Sequence, residues 1–154
     1  MRRPLALSLA LLFVSALSTS AAGDRPADEI RPRVEHHLHA AELIAQQFEM
    51  VLAQECPRFS SREAWDVYFA GSVDRVVTLV AHLEQAWVEA KRTGDKDVRR
   101  EAKAPRRRVD QAQQVVAKLK TCAVGDDPGF DSGVVWRRIE RAVPQRQSEI
   151  ALPR

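Results

Sequence analysis

The 154-residue chain holds 24 Lys and Arg against 21 Asp and Glu, and only two cysteines. Its length predicts a single domain with a modest core. The sequence lacks a phosphate-binding glycine loop, a Gly-x-Ser-x-Gly elbow, a calcium loop and a Cys-x-x-Cys-His haem motif, so none of these common enzyme and cofactor signatures is present. We therefore predict a protein without a cofactor and without enzymatic activity.

Residues 1–22 are predicted to form a cleaved Sec-type signal peptide. Arg2 and Arg3 precede an apolar run over residues 5–17, and small residues follow up to a cleavage site after Ala22. The apolar run is shorter than the roughly 20 residues that a membrane-spanning helix needs. We expect a periplasmic or secreted protein with no membrane span, whose mature chain keeps 22 basic and 21 acidic residues.

Two long helices are predicted in the first part of the mature chain. The first should run from about residue 28 to 55 and end before Pro57, and the second should begin with Ser60 and Glu63 in capping-box spacing and end near Gly94. Their apolar residues recur at steps of four and three. The first series is Val34, Leu38, Ala41, Ala45, Phe48 and Leu52, and the second is Trp65, Phe69, Ser72, Val76, Leu79, Leu83, Ala86 and Ala90.

A third helical segment starts near Asp95 and keeps its apolar phase as far as Leu119. Pro105 interrupts it, which predicts either a kink or two collinear helices, and the unbroken phase favours the kink. After a loop rich in Gly and Asp, Asp131 or Ser132 can cap a short fourth helix that ends at Val143 because Pro144 follows. These boundaries predict a bundle domain over residues 23–143 and a flexible tail over residues 144–154.

Cys56 and Cys122 are an even pair in a chain predicted to be exported, which indicates one disulfide. Short connections make successive helices antiparallel, so the ends that carry the two cysteines lie at the same end of the bundle. The predicted fold class is therefore all-α, an antiparallel bundle of three long helices plus a short C-terminal helix, with one disulfide. The third side of this bundle needs a cover, from the short helix with Trp136, from a partner or from a second copy of the chain.

Three of the four histidines lie within residues 36–39. His37 sits beside the apolar stripe of the first helix, His82 occupies a matching position on the second helix, and both lie roughly 30 Å from the disulfide end at 1.5 Å per residue. Imidazole is a ligand for Zn and Cu, so His37 and His82, with His36 or Glu35 as a third ligand, are the candidate metal site. No His-Glu-x-x-His motif supports it, and a polar helix edge is the alternative.

The densest charge cluster covers residues 96–110, and helical spacing can place its cations on one exposed stripe. The predicted partner-binding residues are Lys96, Arg99, Arg100, Lys103, Arg106 and Arg107. An anionic lipid or polysaccharide, or another envelope protein, is the predicted partner, whereas nucleic acid is not expected outside the cytoplasm. The alternative is that the arginines of this third helical segment pair with the glutamates that recur every seven residues on the first helix, namely Glu35, Glu42 and Glu49.

Two hypotheses for the function follow from these patterns. The first is a small exported, non-enzymatic envelope protein that binds a protein or anionic partner through its helix faces. The second is a periplasmic metal carrier or sensor that uses His37 and His82. Hydrolysis by the glutamate edge ranks last, because spacing alone places no pair of carboxylates for catalysis.

Overall fold

A computed structural model describes residues 25–103, 107–123 and 129–153, so the predicted signal peptide lies outside the described residues. Five helices and no strand occur in these ranges. The helices are α1 (Ala27–Ala53), α2 (Arg62–Ala90), α3 (Lys96–Lys103), α4 (Arg108–Cys122) and α5 (Ser132–Ile150). The predicted fold class, an all-α bundle with one disulfide, is confirmed. Within the described ranges, no helix combines the length and the apolar character needed to cross a bilayer.

The core forms where the apolar stripe of α1 packs against α2. Val34, Ala41, Ala45 and Phe48 are buried as predicted. His37 is fully buried as well and takes the position beside Leu38, which is only half-buried. The stripe therefore contains a polar ring where the sequence pattern predicts a histidine on its edge.

Two apolar clusters make up this core. The larger one fills the disulfide end and the middle of the bundle, and the smaller one fills the opposite end. The smaller cluster consists of Ile30, Val34, Ala86, Ala90, Val98 and Ala102. In α1, His37 stands between Val34 of the smaller cluster and Ala41 of the larger one. In α2, His82 lies among residues of the larger cluster, and Ala86 of the smaller cluster follows one helical turn later. The two histidines therefore lie near the boundary between the clusters.

Helix α2 begins one residue later than the sequence predicts. The capping hydroxyl belongs to Ser61, whose Oγ accepts a hydrogen bond from the Ala64 amide at 3.2 Å. The prediction that Ser60 caps this helix is therefore wrong, because Ser61 has the extended backbone that lets its side chain reach the third amide. The pKa of Glu63 is lowered by its own backbone N–H and by the Ser61 hydroxyl.

Two helices occupy the predicted third segment. Asp95 caps α3, since its Oδ1 accepts hydrogen bonds from the Asp97 and Val98 amides at 2.8 and 2.9 Å. Val98 and Ala102 of α3 and then Ala112, Val116 and Leu119 of α4 are buried, in the predicted phase. Pro105 lies outside the described residues, between the two helices.

The disulfide joins the C-terminal end of α1 to the C-terminal end of α4, which were predicted to lie at the same end of the bundle. Cys56 follows α1 and Cys122 ends α4, and their Cα atoms are 5.2 Å apart. Aromatic rings surround this end of the bundle in a chain of contacts between 5.1 and 6.1 Å. The rings belong to Phe59, Trp65, Tyr68, Phe69 and Phe130. The predicted disulfide is confirmed.

Helix α5 is longer than the sequence predicts. Asp131 caps it as expected, with Oδ1 accepting from the Val134 amide at 2.9 Å. The predicted end at Val143 is wrong, because the helix continues through Pro144 to Ile150, so most of the predicted flexible tail is helical. An interior proline costs about 3 kcal/mol. Packing against α2 offsets this cost: α5 buries apolar side chains before the proline, packs the partly buried Ile150 against the core after it, and covers the third side of the bundle.

Candidate functional site

The structure brings His37 of α1 and His82 of α2 into direct contact. Their Nδ1 atoms are 3.0 Å apart, His37 is fully buried and His82 is 8% exposed. The two rings meet because the helices run antiparallel and the histidines lie at similar distances from the disulfide end. The exposed ring of His36 lies beside them, with its centroid 5.1 Å from that of His37 and 6.5 Å from that of His82.

The hydrogen-bonding partners of the pair decide which nitrogen carries each proton. The Nε2 atom of His37 is buried and has no hydrogen-bond partner among the described residues. A buried N–H without an acceptor is rarer in proteins than a buried acceptor without a donor. We therefore assign the proton of His37 to Nδ1, which donates it to Nδ1 of His82. His82 then carries its own proton on Nε2.

Both rings are neutral at pH 7. Burial, together with the neighbouring His82 and His36, lowers the pKa of His37 to about 4. Burial also lowers the pKa of His82, with a contribution from His36. A neutral imidazole is both a hydrogen-bonding group and a metal ligand, so this state suits either role.

A buried carboxylate lies along the same helix interface. Glu89 of α2 is 1% exposed and accepts hydrogen bonds from Arg33 and Arg92 at 2.9 Å and from Gln85 at 3.1 Å. Burial acts to raise the pKa of Glu89, but the hydrogen bonds and charges of the two arginines lower it below its usual value. Glu89 is therefore ionised at neutral pH and shared by two cations.

Glu89 and its partners were not among the residues predicted from the sequence. The sequence does contain one sign of its burial: Glu89 lies three residues after Ala86, on the face of α2 that carries the apolar stripe. A carboxylate on the buried face of a helix needs a cation beside it. The sequence alone does not say which of the nearby arginines supplies it.

Arg33 also holds the C-terminal end of the chain. Its Nη1 donates to the carbonyl oxygen of Pro153 at 2.7 Å, and its Nη2 donates to that of Leu152 at 2.9 Å. We call residues 151–153, which follow α5, the C-terminal strap. A single guanidinium thus connects α1 to the buried Glu89 of α2 and to the strap.

The glutamates of α1 pair with an arginine at the start of α4. This pairing was the predicted alternative to a partner-binding role for the cations of the third helical segment. Arg108 contacts Glu42 at 3.0 Å and Glu49 at 3.3 Å. Glu35 is exposed further along the same edge. The carboxylates at positions 42 and 49 therefore serve as partners of an arginine that crosses between two helices.

The predicted partner-binding cations have different surroundings. Arg99 donates to the carbonyl oxygen of Thr93 at 2.8 Å and so supports the chain between α2 and α3. Lys103 lies 4.8 Å from the ring centroid of Trp87, and Arg100 pairs with Asp97 at the surface. Arg106 lies outside the described residues. Four cations are exposed and form what we call the basic face: Lys96, Arg100 and Lys103, spaced four and three residues apart on α3, and Arg107 just before α4.

The three histidines predicted as metal ligands are neighbours, as their ring distances show. In the described part of the chain, however, no group of three or more His, Cys, Asp or Glu side chains has a geometry that could hold a metal ion. Comparison with protein-family models, with curated proteins and with solved structures gave no match for this chain.

Proposed function

We propose that the protein is an exported, non-enzymatic helical-bundle protein of the cell envelope that binds an anionic partner through the basic face. The observation that carries this proposal is the exposure of four cations, three at helical spacing on α3 and one just before α4. Binding needs no catalytic group. It needs a rigid scaffold, which the disulfide and the packed helices provide.

The charges around the basic face leave it positive. Glu101 pairs with Arg31 of α1 at 2.6 Å, so α1 already contributes a cation for that carboxylate. Asp97 pairs with Arg100, but 76% of the arginine side chain and 61% of the aspartate side chain remain exposed. Exposed ion pairs of this kind contribute at most about 1 kcal/mol, so an anionic partner can compete for the arginine.

A phosphate-bearing surface would gain free energy from each cation that it meets. Near an anionic membrane surface, one Lys or Arg contributes about 1 kcal/mol, and the contribution falls within a Debye length. Four cations on one face would therefore bind with a free energy on the order of 4 kcal/mol. This estimate corresponds to weak binding that salt weakens further.

A charge-reversal experiment tests the proposal. Lys96, Arg100 and Arg107 are changed together to Glu, while Arg99 is kept because it supports the chain after α2. Binding of the mature chain to phosphatidylglycerol vesicles should fall at least tenfold, and phosphatidylcholine vesicles should bind neither protein. Unchanged binding after the triple reversal would end the proposal.

The chain offers a matched control on α5. Arg137, Arg138 and Arg141 are exposed, and reversing them produces the same change in net charge. The control variant should keep most of its vesicle binding. An equal loss in the two variants would show that net charge, and not the basic face, determines binding.

Export is part of the same proposal. A disulfide between Cys56 and Cys122 supports it, because structural disulfides persist in oxidising compartments such as the periplasm. Expression of the full chain in a bacterium, followed by mass analysis of the periplasmic fraction, should give a protein that begins at Gly23. A full-length protein confined to the cytoplasm would contradict export.

A second function, transition-metal carriage or sensing, is supported by the contact between His37 and His82. Zn–N bonds are about 2.0–2.1 Å long, so nitrogens 3.0 Å apart can both reach one ion. His36 would have to turn to supply a third ligand. Native mass spectrometry should then show one tightly held Zn or Cu per chain. The metal should be lost in the double variant with His37→Asn and His82→Asn, and it should be kept in the control variant His39→Asn. Equal metal content in these variants would overturn this function.

A further inference from the structure

We propose that a groove between α2 and α5 binds a small organic anion, namely a carboxylate that carries one aromatic ring. The groove has a volume of about 250 Å³. Its lining residues all belong to α2 and α5, whereas the basic face lies on α3 and just before α4. The groove is therefore a second binding site, independent of the anionic partner proposed for the basic face.

The groove forms because α5 runs in the same direction as α2 and a small side chain lies between their contacts. Phe130, just before α5, meets Phe69 of α2 with ring centroids 5.7 Å apart. Further along both helices, Arg146 of α5 donates a hydrogen bond to Oγ1 of Thr78 at 3.0 Å. Between these two contacts Ala142 forms part of the groove wall. Its methyl group leaves a space that a larger side chain would fill.

The floor of the groove is apolar and held in place by the core. Val73 and Val77, one turn apart on α2, line the groove and keep only 7% and 6% of their surface exposed. Phe69, one turn earlier, is half-buried and packs against the rings of Trp65 and Phe130. The three lining side chains extend over about 12 Å of α2. The ring of Phe69 can pack against a further aromatic ring, so this floor favours an aromatic ligand.

The charges that line the groove are paired at one end and unpaired at the other. At the end far from the disulfide, Arg146 pairs with Asp74 and, at 3.0 Å, with Glu149. At the end near the disulfide, Arg138 is exposed and has no hydrogen bond or ion pair among the described residues. A guanidinium binds a carboxylate through two parallel hydrogen bonds. The anionic group of the ligand therefore pairs with Arg138, while its ring lies on the apolar floor.

The volume of the groove sets the size of the ligand. An apolar protein cavity of about 150 Å³ is large enough for benzene. The 250 Å³ of the groove therefore hold one ring and a short arm with a carboxylate. Larger drug-sized ligands need pockets of about 300–1,000 Å³. Ala70 and Gln145 line the groove and are exposed, so the ligand can enter without separation of the helices.

An NMR titration of the full mature chain with phenylpropionate tests the site. The backbone amides of Ala70, Val73 and Ala142 should shift in a saturable way with a single dissociation constant. Arg138→Met removes the charge but keeps an unbranched side chain, so it should weaken binding at least tenfold. Phenylpropanol has the same ring and no charge, and it should also bind at least tenfold more weakly than the acid.

Three further variants separate the groove from other sites. Arg141→Met is the matched control, because Arg141 is exposed on the same helix but does not line the groove. It should bind the acid like the wild type. The reversal of Lys96, Arg100 and Arg107 to Glu should also leave this binding unchanged, which distinguishes the groove from the basic face. Ala142→Phe fills the groove and should abolish the shifts.

Four results would overturn the site. They are the absence of a saturable shift in the wild type, equal affinity in Arg138→Met and Arg141→Met, equal affinity for the acid and the alcohol, and loss of binding on reversal of the basic face. Arg138 is exposed, so its replacement should leave the fold intact. The comparison at Arg138 therefore decides the question even if Ala142→Phe does not fold.

Discussion

Arg33 of α1 and Glu89 of α2 form an ion pair of 2.9 Å whose carboxylate is almost completely buried. Taking these charges out of water costs several kcal/mol per ion, and the pair repays this only because Arg92 and Gln85 satisfy the remaining oxygen lone pairs. Such a pair adds little net stability compared with an apolar contact. It does make the interface between α1 and α2 sensitive to the loss of either partner.

The first prediction concerns this carboxylate. Replacing Glu89 by Gln leaves Arg33 and Arg92 without a counter-charge and should lower the free energy of unfolding by about 3–5 kcal/mol. Urea unfolding measures this difference. Glu29→Gln is the control, because Glu29 pairs with Arg25 at the surface and its replacement should cost less than about 1 kcal/mol. Equal effects of the two replacements would contradict the buried ion pair.

Glu89 also predicts that the stability of the bundle depends on pH. Its arginine partners lower the pKa of the folded state below the usual value. The resulting stability is present above the unfolded pKa of about 4.3 and is lost as the pH falls below it. Urea midpoints of the wild type should therefore decline below pH 4.5, and Glu89→Gln should reduce that decline. A decline of the same size in the variant would contradict this assignment.

The disulfide gives the third prediction. Cys56 and Cys122 close a loop of 66 residues, which the chain-entropy estimate values at about 4 kcal/mol. Replacing both cysteines by Ala should lower the free energy of unfolding by about that amount. Adding reductant should lower the stability of the wild type and leave the variant unchanged. A wild type that does not respond to reductant would contradict a structural role for the bond.

Pro144 gives the fourth prediction. It lies on an exposed position inside α5, where it cannot donate the backbone hydrogen bond of a regular helix. Pro144→Ala should therefore raise the free energy of unfolding by up to about 3 kcal/mol. The gain should be somewhat smaller than this, because proline also stabilises the folded state by reducing the conformational entropy of the unfolded chain. Thermal unfolding measures the change. A lower melting temperature would indicate that the helix does not continue past Val143.

The docking of α5 gives the fifth prediction. Ile139 is fully buried against the core, whereas Val134 on the same helix is 51% exposed. Ile139→Ala should lower the free energy of unfolding by about 2–5 kcal/mol, and Val134→Ala should change it by less than about 0.5 kcal/mol. Similar small effects at both positions would mean that α5 does not cover the bundle.

Much of the fold can be predicted from the sequence, because the helices carry regular apolar stripes. The steps of four and three in α1, α2 and α4 place most of the core correctly, and antiparallel packing then brings Cys56 to Cys122 and His37 to His82. These predictions work because they depend on helix geometry alone. The cap of α5 could also be predicted, with Asp131 as one of two candidates, because a cap depends only on residues that are close in sequence.

The parts that could not be predicted depend on tertiary contacts. Pro144 is a strong local signal for the end of a helix, but packing against α2 overrides it. Arg99 belongs to the predicted basic stripe, yet it bonds to a backbone carbonyl between α2 and α3. Glu89 could not be assigned a partner until Arg33 was placed across the interface.

The salt dependence of vesicle binding tests the proposed function most directly. Affinity of the mature chain for phosphatidylglycerol vesicles is measured between low and physiological salt, for the wild type and for the variant with Lys96, Arg100 and Arg107 reversed. Wild-type affinity should fall steeply as salt rises, because screening weakens exposed charges, and the variant should bind weakly at every salt concentration. Wild-type affinity that is independent of salt, or equal to that of the variant, would contradict binding through the basic face.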